Sequence, residues 1–398
     1  MVYKGFSKKQ LLAMTWWNRE NLAHFDSVIC DGAVRSGKTV ATVVGFFLWS
    51  MARFDRQVFA ICGKTVGALR RNMIIHLPDW LGGLFTITES RSENKLTVTC
   101  GDKKNVYYLF GGQDEASAGL IQGITLAGVL LDEVVLMPRS FVEQACARCS
   151  VAGSKMWFSC NPASPEHWFY KQWICMADEK NALHLHFTMD DNPALDASVR
   201  ARYERLYTGV FYRRFVLGQW CAAQGLIYEF DENKHIFTTP PPSGRYFISV
   251  DYGTQNPFSA GLWCVCGGKA YRLREFYYSG RENGHTMTDE EYVLALKKLA
   301  GNLPIEQVVI DPSAASLIAA LRGVFPVRRA RNDVLSGIRL VASLLQAGVL
   351  QFSDACRDTI REFALYRWAD GEDCPVKEND HAMDDIRYFC NTILRRLR

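Results

Sequence analysis

Short apolar runs that stop at a glycine or an acidic residue recur along this chain, and most are followed by a stretch with helical spacing. Ser27–Cys30 runs into Asp31 and Gly32 and then into an alanine- and valine-rich segment reaching Ser50, a pattern that predicts strand, loop and helix. Gln57–Cys62, ending at Gly63, predicts a second buried strand. Leu96–Thr99 and Val106–Phe110, with Gly101-Asp102 between them, predict a hairpin. Leu126–Leu131 runs into Asp132-Glu133, and Lys155–Ser159 into Cys160-Asn161-Pro162. Strands alternating with helical stretches predict a doubly wound parallel sheet, an α/β fold.

That pattern fades near Trp220, and a proline cluster follows at Thr238–Gly244. Proline neither continues a helix nor pairs inside a sheet, so a linker is expected over 222–243, separating a first domain, 1–221, from a second, 244–398. In the second, Tyr246–Val250 predicts a strand ending at Asp251, Ala260–Cys266 and Lys269–Tyr277 predict strands around Gly267-Gly268, and Gln307–Ile310 predicts one ending at Asp311. Helices are expected over Thr288–Ala300, Ala314–Arg322, Val334–Ala347 and from Asp380 onward, giving a mixed α/β domain.

Composition narrows the class. A chain of 398 residues exceeds what one core usually organises, and 48% hydrophobic with 22% charged residues excludes a disordered or fibrous chain. A net charge of +4 is too small to identify a nucleic-acid partner, so local clusters matter more. Arg70-Arg71, Arg213-Arg214, Arg328-Arg329 with Arg331, and the tail Arg395, Arg396 and Arg398 are candidate phosphate contacts, with solvated surface charge as the competing reading. Several of the 13 cysteines sit in apolar runs, which predicts buried thiols in a reducing compartment. Cys146 and Cys149 have the spacing of one half of a zinc site, and no second pair completes it. Met1–Gln10 lacks the apolar core of a signal peptide, and no uncharged apolar run reaches membrane-spanning length, so the expectation is the cytoplasm and no membrane.

Gly32-Ala33-Val34-Arg35-Ser36-Gly37-Lys38-Thr39 fits the phosphate-binding pattern G-x-x-x-x-G-K-[ST], placed after a strand and before a helix, where it has a mechanism. Its backbone N–H groups, Ser36 and Gly37 among them, wrap a β-phosphate, Lys38 neutralises β/γ oxygens, and Thr39 offers a hydroxyl to Mg²⁺. The acidic pair at the end of a later strand completes such a site: Asp132 for magnesium and Glu133 as general base for an attacking water. Arg35, within the loop, is a candidate for stabilising transition-state charge, with Arg139 and Arg148 as alternatives.

In the second domain Asp251 and Asp311 end apolar strands, and helical spacing puts His381 with Asp384, and Asp380 with Asp384, on one face. Hard oxygen ligands suit Mg²⁺ or Mn²⁺, and two such ions activate water and stabilise a leaving 3′-oxygen in phosphodiester chemistry. Turn and cap roles compete for Asp251 and Asp311, Asp385 rivals Asp384, and Glu275 is an auxiliary ligand or a surface strand residue. His184 and His186, alternating along Leu183–Phe187, read as ordinary strand residues.

Taken together these stretches resemble the large terminase subunits of tailed phages. Phe6–Gln10 resembles the family's upstream glutamine motif, which assigns Gln10 to adenine; Gln122–Glu133 resembles its acidic strand; Ser159–Trp168 resembles its coupling motif, with Asn161 as a γ-phosphate sensor. Asp251, Asp311 and the His381-x-x-Asp384 segment resemble the metal site of its RNase H-like nuclease domain, which implies His381 as a ligand beside the three aspartates. The likeness spans nearly the whole chain and is thinnest over 181–242. It implies a packaging ATPase that moves double-stranded DNA into a procapsid and cuts concatemers with two metal ions. It further implies a terminase small subunit, a portal protein and further copies of the chain as partners, in the host cytoplasm. A DNA-moving P-loop ATPase whose second domain only binds DNA, and an adaptor with a degenerate nucleotide switch, are the rival readings.

Overall fold

The structure is a computed structural model describing residues 5–395 apart from positions 240, 242, 254, 255 and 371. It divides into two compact units whose boundary falls between Ala222 and Ala223, with Arg205–Thr208 grouped with the second.

The first unit is built on eight strands: β1 (Ser27–Gly32), β2 (Val58–Gly63), β3 (Thr86–Ser90), β4 (Lys95–Cys100), β5 (Lys103–Gly111), β6 (Gly128–Asp132), β7 (Lys155–Cys160) and β8 (Ala182–Phe187). Their order is β3-β4-β5-β2-β6-β7-β1-β8. From β5 to β8 all pairings are parallel, while β3 and β4 add an antiparallel edge, so the expected hairpin is one part of a larger meander. The central strands read as unbroken apolar runs because both faces are covered. Val28 and Cys30 face the core under the helix Lys38–Arg53, with Phe46, Trp49 and Trp157; Ile29 faces the opposite core of Phe141, Phe158 and Trp173. Trp49 packs 4.8 Å from Trp157, and such aromatic contacts fix where the helix crosses the sheet.

The second unit holds β9 (Arg245–Asp251), β10 (Phe258–Cys266), β11 (Lys269–Tyr278), β12 (Ile305–Ile310), β13 (Val327–Arg329) and β14 (Leu350–Phe352), in the order β13-β12-β9-β10-β11-β14. β9, β10 and β11 are antiparallel; β12, β13 and β14 join parallel to their neighbours. One face, with Ile248 and Val250, packs on Tyr292, Leu296 and Leu317 from the helices Asp289–Ala300 and Ala315–Leu321. The other receives the helix His381–Phe389, where Trp263 stacks on Phe389 at 4.3 Å.

The stretch expected as a linker, 222–243, is in large part an arm docked on the second unit. Ile227 N–H donates to Tyr366 at 2.9 Å, Phe237 N–H to Phe352 at 3.0 Å, and Phe230 stacks on Phe363 at 4.4 Å. Aromatic residues upstream of the prolines outweigh the proline cue; Pro240 and Pro242 lie outside the described residues. Among the described residues no helix is long and apolar enough to cross a membrane, and all 13 cysteines are free.

Candidate active sites

The phosphate loop leaves β1 through Gly32, whose φ of +126° and neighbours demand glycine: an added Cβ would fall 1.9 Å from the Phe187 carbonyl oxygen. Gly37, at φ +85°, starts the helix Lys38–Arg53. The buried Lys38 ammonium curls onto the loop, donating to the carbonyls of Gly32 at 3.0 Å and Ala33 at 2.6 Å, to Ser36 Oγ at 3.2 Å and to Asn161 Oδ1 at 3.1 Å. Burial pushes its pKa down to about 8, opposed in part by Asp31 and Asp132.

Asp132, buried at the end of β6, accepts from Thr39 Oγ1 at 3.2 Å and Ser159 Oγ at 2.5 Å, and burial pushes its carboxyl up. Glu133 follows in the left-handed region at φ +55°, a conformation that costs a non-glycine residue roughly 1–2 kcal/mol. Such strain persists where the surroundings dictate it and is common at catalytic positions. Gln10 caps the helix Lys8–Thr15 through its own Oε1 and donates from Nε2 to the Ser36 carbonyl at 3.3 Å. Arg35, at φ +59°, donates to Tyr203 Oη at 2.8 Å, and its carbonyl accepts from Asn192 at 2.6 Å. Gln10, Gly32, Arg35, Ser36, Gly37, Lys38, Thr39, Asp132 and Asn161 therefore gather about one loop, with Glu133 next along the chain.

In the second unit a strand and a helix run past each other in step. Phe247, Ser249 and Asp251 alternate onto one face of β9, and Phe389, Asp385 and His381 recur every fourth residue along the helix, so the two series meet rung by rung. Phe247 packs on Phe389 at 6.1 Å, Ser249 Oγ donates to Asp385 at 2.8 Å, and Asp251 Oδ2 shares a 3.0 Å hydrogen bond with His381 Nδ1. The same pairing sets Asp384 and Asp385, the rival ligand candidates, in different surroundings. Asp385 is fully buried, held by both Arg272 terminal nitrogens at 2.5 and 3.0 Å and by Ser259, whereas Asp384 is turned one residue around the helix into a cleft of about 520 Å³.

That cleft is lined by Asp251, Asp380, His381 and Asp384, with Arg281, Arg361 and Lys377 also on its wall. Burial pushes Asp251 up to about 7; the nearby Asp384 charge adds to the shift and His381 opposes it. Asp311 does not line the cleft. Its carboxylate accepts from Ser313 N–H at 2.7 Å, a turn that precedes the helix Ala315–Leu321, and from Tyr388 Oη at 2.7 Å. Burial pushes Asp311 up, but these two bonds hold it below the usual carboxylate range. Asp384 is paired with Arg387 at 2.8 Å. Among the described residues no three His, Cys, Asp or Glu side chains are disposed to hold a metal ion together.

The family model described as terminase large subunit, T4likevirus-type, N-terminal, matches residues 29–235. The chain belongs to the terminase large subunit family. It is similar along its length to the large terminase of a thermophilic bacteriophage, at 48% identity over 98% of this chain and 100% of that one, with a TM-score of 0.94. The same relative in complex with ADP gives a TM-score of 0.91, and with ATP-gamma-S 0.90. No curated protein matches the chain.

Several residues of this terminase large subunit take roles that their place in the sequence does not signal. Glu275, expected as an auxiliary ligand or surface residue, caps the helix Arg357–Leu365, accepting from Asp358 and Thr359 N–H at 2.8 and 3.0 Å. Glu362, buried on that helix, caps the next one by accepting from Ala382 N–H at 2.7 Å, and takes the Tyr277 hydroxyl at 2.7 Å. Arg214, a candidate phosphate contact, is buried and donates to the Cys221 carbonyl at 3.0 Å. His184 and His186 both bond Asp31, which no local pattern announces.

Proposed function

We propose that this chain turns over ATP at the phosphate loop of its first unit to drive double-stranded DNA into a procapsid. We further propose that it cuts concatemeric DNA at the cleft of its second unit, working in the host cytoplasm with a small terminase subunit, a portal protein and further copies of itself. Gln10 would hold the adenine, the loop N–H groups and Lys38 the phosphates, and Thr39 with Asp132 a magnesium ion. Glu133 takes the proton of the attacking water, and Asn161, already hydrogen-bonded to Lys38, reports the γ-phosphate to the segment beyond Pro162. Arg35 turns from Tyr203 toward transition-state charge.

For cutting, the donor set fits hard cations. Asp251 and Asp384 offer carboxylate oxygens to the cleft and His381 a ring nitrogen, while Asp311, held by Tyr388 and outside the cleft lining, would have to turn to join them; Asp251 is pushed up by burial and a like charge, a tension that a cation relieves. Bound Mg²⁺ or Mn²⁺, two ions in this reading, would supply an activated water and charge stabilisation at the leaving oxygen. The chain itself contributes position: β9 and the helix His381–Phe389 hold Asp251 and Asp384 in one cleft, and that shared placement carries the proposal.

Supercoiled plasmid incubated with Mn²⁺ tests it. Wild type is expected to nick and linearise the plasmid, with Asp251→Asn and Asp384→Asn each slower by about a hundredfold or more. Equal cutting by the variants would remove the nuclease assignment, and an uncut plasmid with intact ATP turnover would favour a second unit that only binds DNA.

A further inference from the structure

We infer that Asp31 is a positioning residue for the nucleotide, clamping the root of the phosphate loop to β8 and to Trp220. The inference rests on the ATP-hydrolysing reading of that loop. Asp31 is the last side chain of β1 before Gly32 and is 1% exposed. Its carboxylate collects donors from two distant parts of the chain: His184 Nε2 at 2.8 Å, His186 Nδ1 at 3.1 Å and Trp220 Nε1 at 2.7 Å. Parallel pairing of β1 with β8 sets His186 opposite Asp31, and His184 lies two residues back on the same face. Tyr170 packs on the Trp220 ring at 4.7 Å, holding the indole in place.

The same two segments brace the loop backbone. Ala33 N–H donates to the Phe187 carbonyl, just beyond His186, at 2.9 Å, and Val34 N–H to the Phe215 carbonyl at 2.8 Å. Gly218, at φ +71°, lies so close that an added Cβ would sit 2.9 Å from Ala33 N. Lys38 is held by the carbonyls of Gly32 and Ala33, the two peptide groups that follow Asp31. One carboxylate therefore ties together the strand that feeds the loop and both segments that prop it, and the carbonyls that aim the lysine hang between those ties. Although burial pushes Asp31 up, the histidine hydrogen bonds keep it ionised, so it accepts from all three donors at once.

ATP turnover by the purified full chain, with KM and kcat separated, tests the inference on Asp31→Asn, Trp220→Phe and the double variant. Asparagine keeps the size but loses the charge and one acceptor oxygen; phenylalanine keeps a ring and loses only the N–H. The KM for ATP is expected to rise about tenfold in Asp31→Asn and about threefold in Trp220→Phe, with the double variant no worse than Asp31→Asn because both act through one network. A merely structural role would lower the thermal midpoint and leave KM at the wild-type value; that result, or effects that simply multiply, overturns the inference. Should Asp31→Asn fail to fold, Trp220→Phe decides alone, and an unchanged KM overturns it. A wild-type chain without ATP turnover would instead sink the reading of the loop itself.

Discussion

Asp31 is buried and Asp251 half-buried at the cleft, and their surroundings tune the two carboxylates in opposite directions. Asp251 has one histidine against burial and a neighbouring acid, and is pushed up to about 7; Asp31 has two histidines and is held well below the usual range. The histidine side of the Asp31 bond is raised in turn: the Asp31 hydrogen bond is the largest influence on His186. A raised histidine stabilises the fold fully below its unfolded value, about pH 6.5, and that contribution fades as pH climbs through the raised value. Asp31, being depressed, contributes above about pH 4 and loses its contribution as pH falls through its depressed value. The gap in thermal midpoint between wild type and His186→Gln is therefore expected to be wider at pH 6 than at pH 9, by calorimetry; an equal gap at both would contradict the assignment. At this scale Gly32–Thr39 was legible because the chemistry is contiguous. The Asp31 network was not, because its partners lie 153, 155 and 189 residues away and only the β1–β8 pairing and the fold of the following segment bring them together.

Among elements, the deciding object is the match between β9 and the helix His381–Phe389. Helical spacing alone puts His381 with Asp384, and Asp380 with Asp384, on one face. Those three do line one cleft, while the strand pairs with the series His381, Asp385 and Phe389, since four helical residues and two strand residues advance by similar distances, about 6 and 6.6 Å. Asp384 is left facing the cleft by that choice. What holds the first turn of the helix is Glu362, from a helix that no motif announced. Removing it in Glu362→Ala frees two first-turn N–H groups and strips Tyr277 of its partner. The expected loss is about 1 kcal/mol of stability from the lost cap, read by denaturant unfolding. It should come with weaker plasmid cutting at limiting Mn²⁺ and unchanged ATP turnover. Unaltered cutting and unaltered unfolding together would show that the cap is dispensable.

Across the molecule, apolar runs ending in acidic or glycine residues located the central strands of both sheets, because strands covered on both faces leave an unbroken signal. The short strands Val327–Arg329 and Leu350–Phe352 and the edge strand Thr86–Ser90 left none, being too brief or too exposed to carry a pattern. The prolines marked a change of unit but misplaced its edge, since the aromatic residues ahead of them dock on the second unit. Two chemistries on two units should be separable by single substitutions. ATP turnover and Mn²⁺-dependent plasmid cutting, measured on the same preparations of Glu133→Gln and Asp251→Asn, test this most directly. Glu133→Gln is predicted to lose ATP turnover by about a hundredfold or more while cutting stays within about twofold of wild type, and Asp251→Asn to show the reverse. Loss of both activities in either variant, or of neither in both, would contradict two independent catalytic centres in one chain.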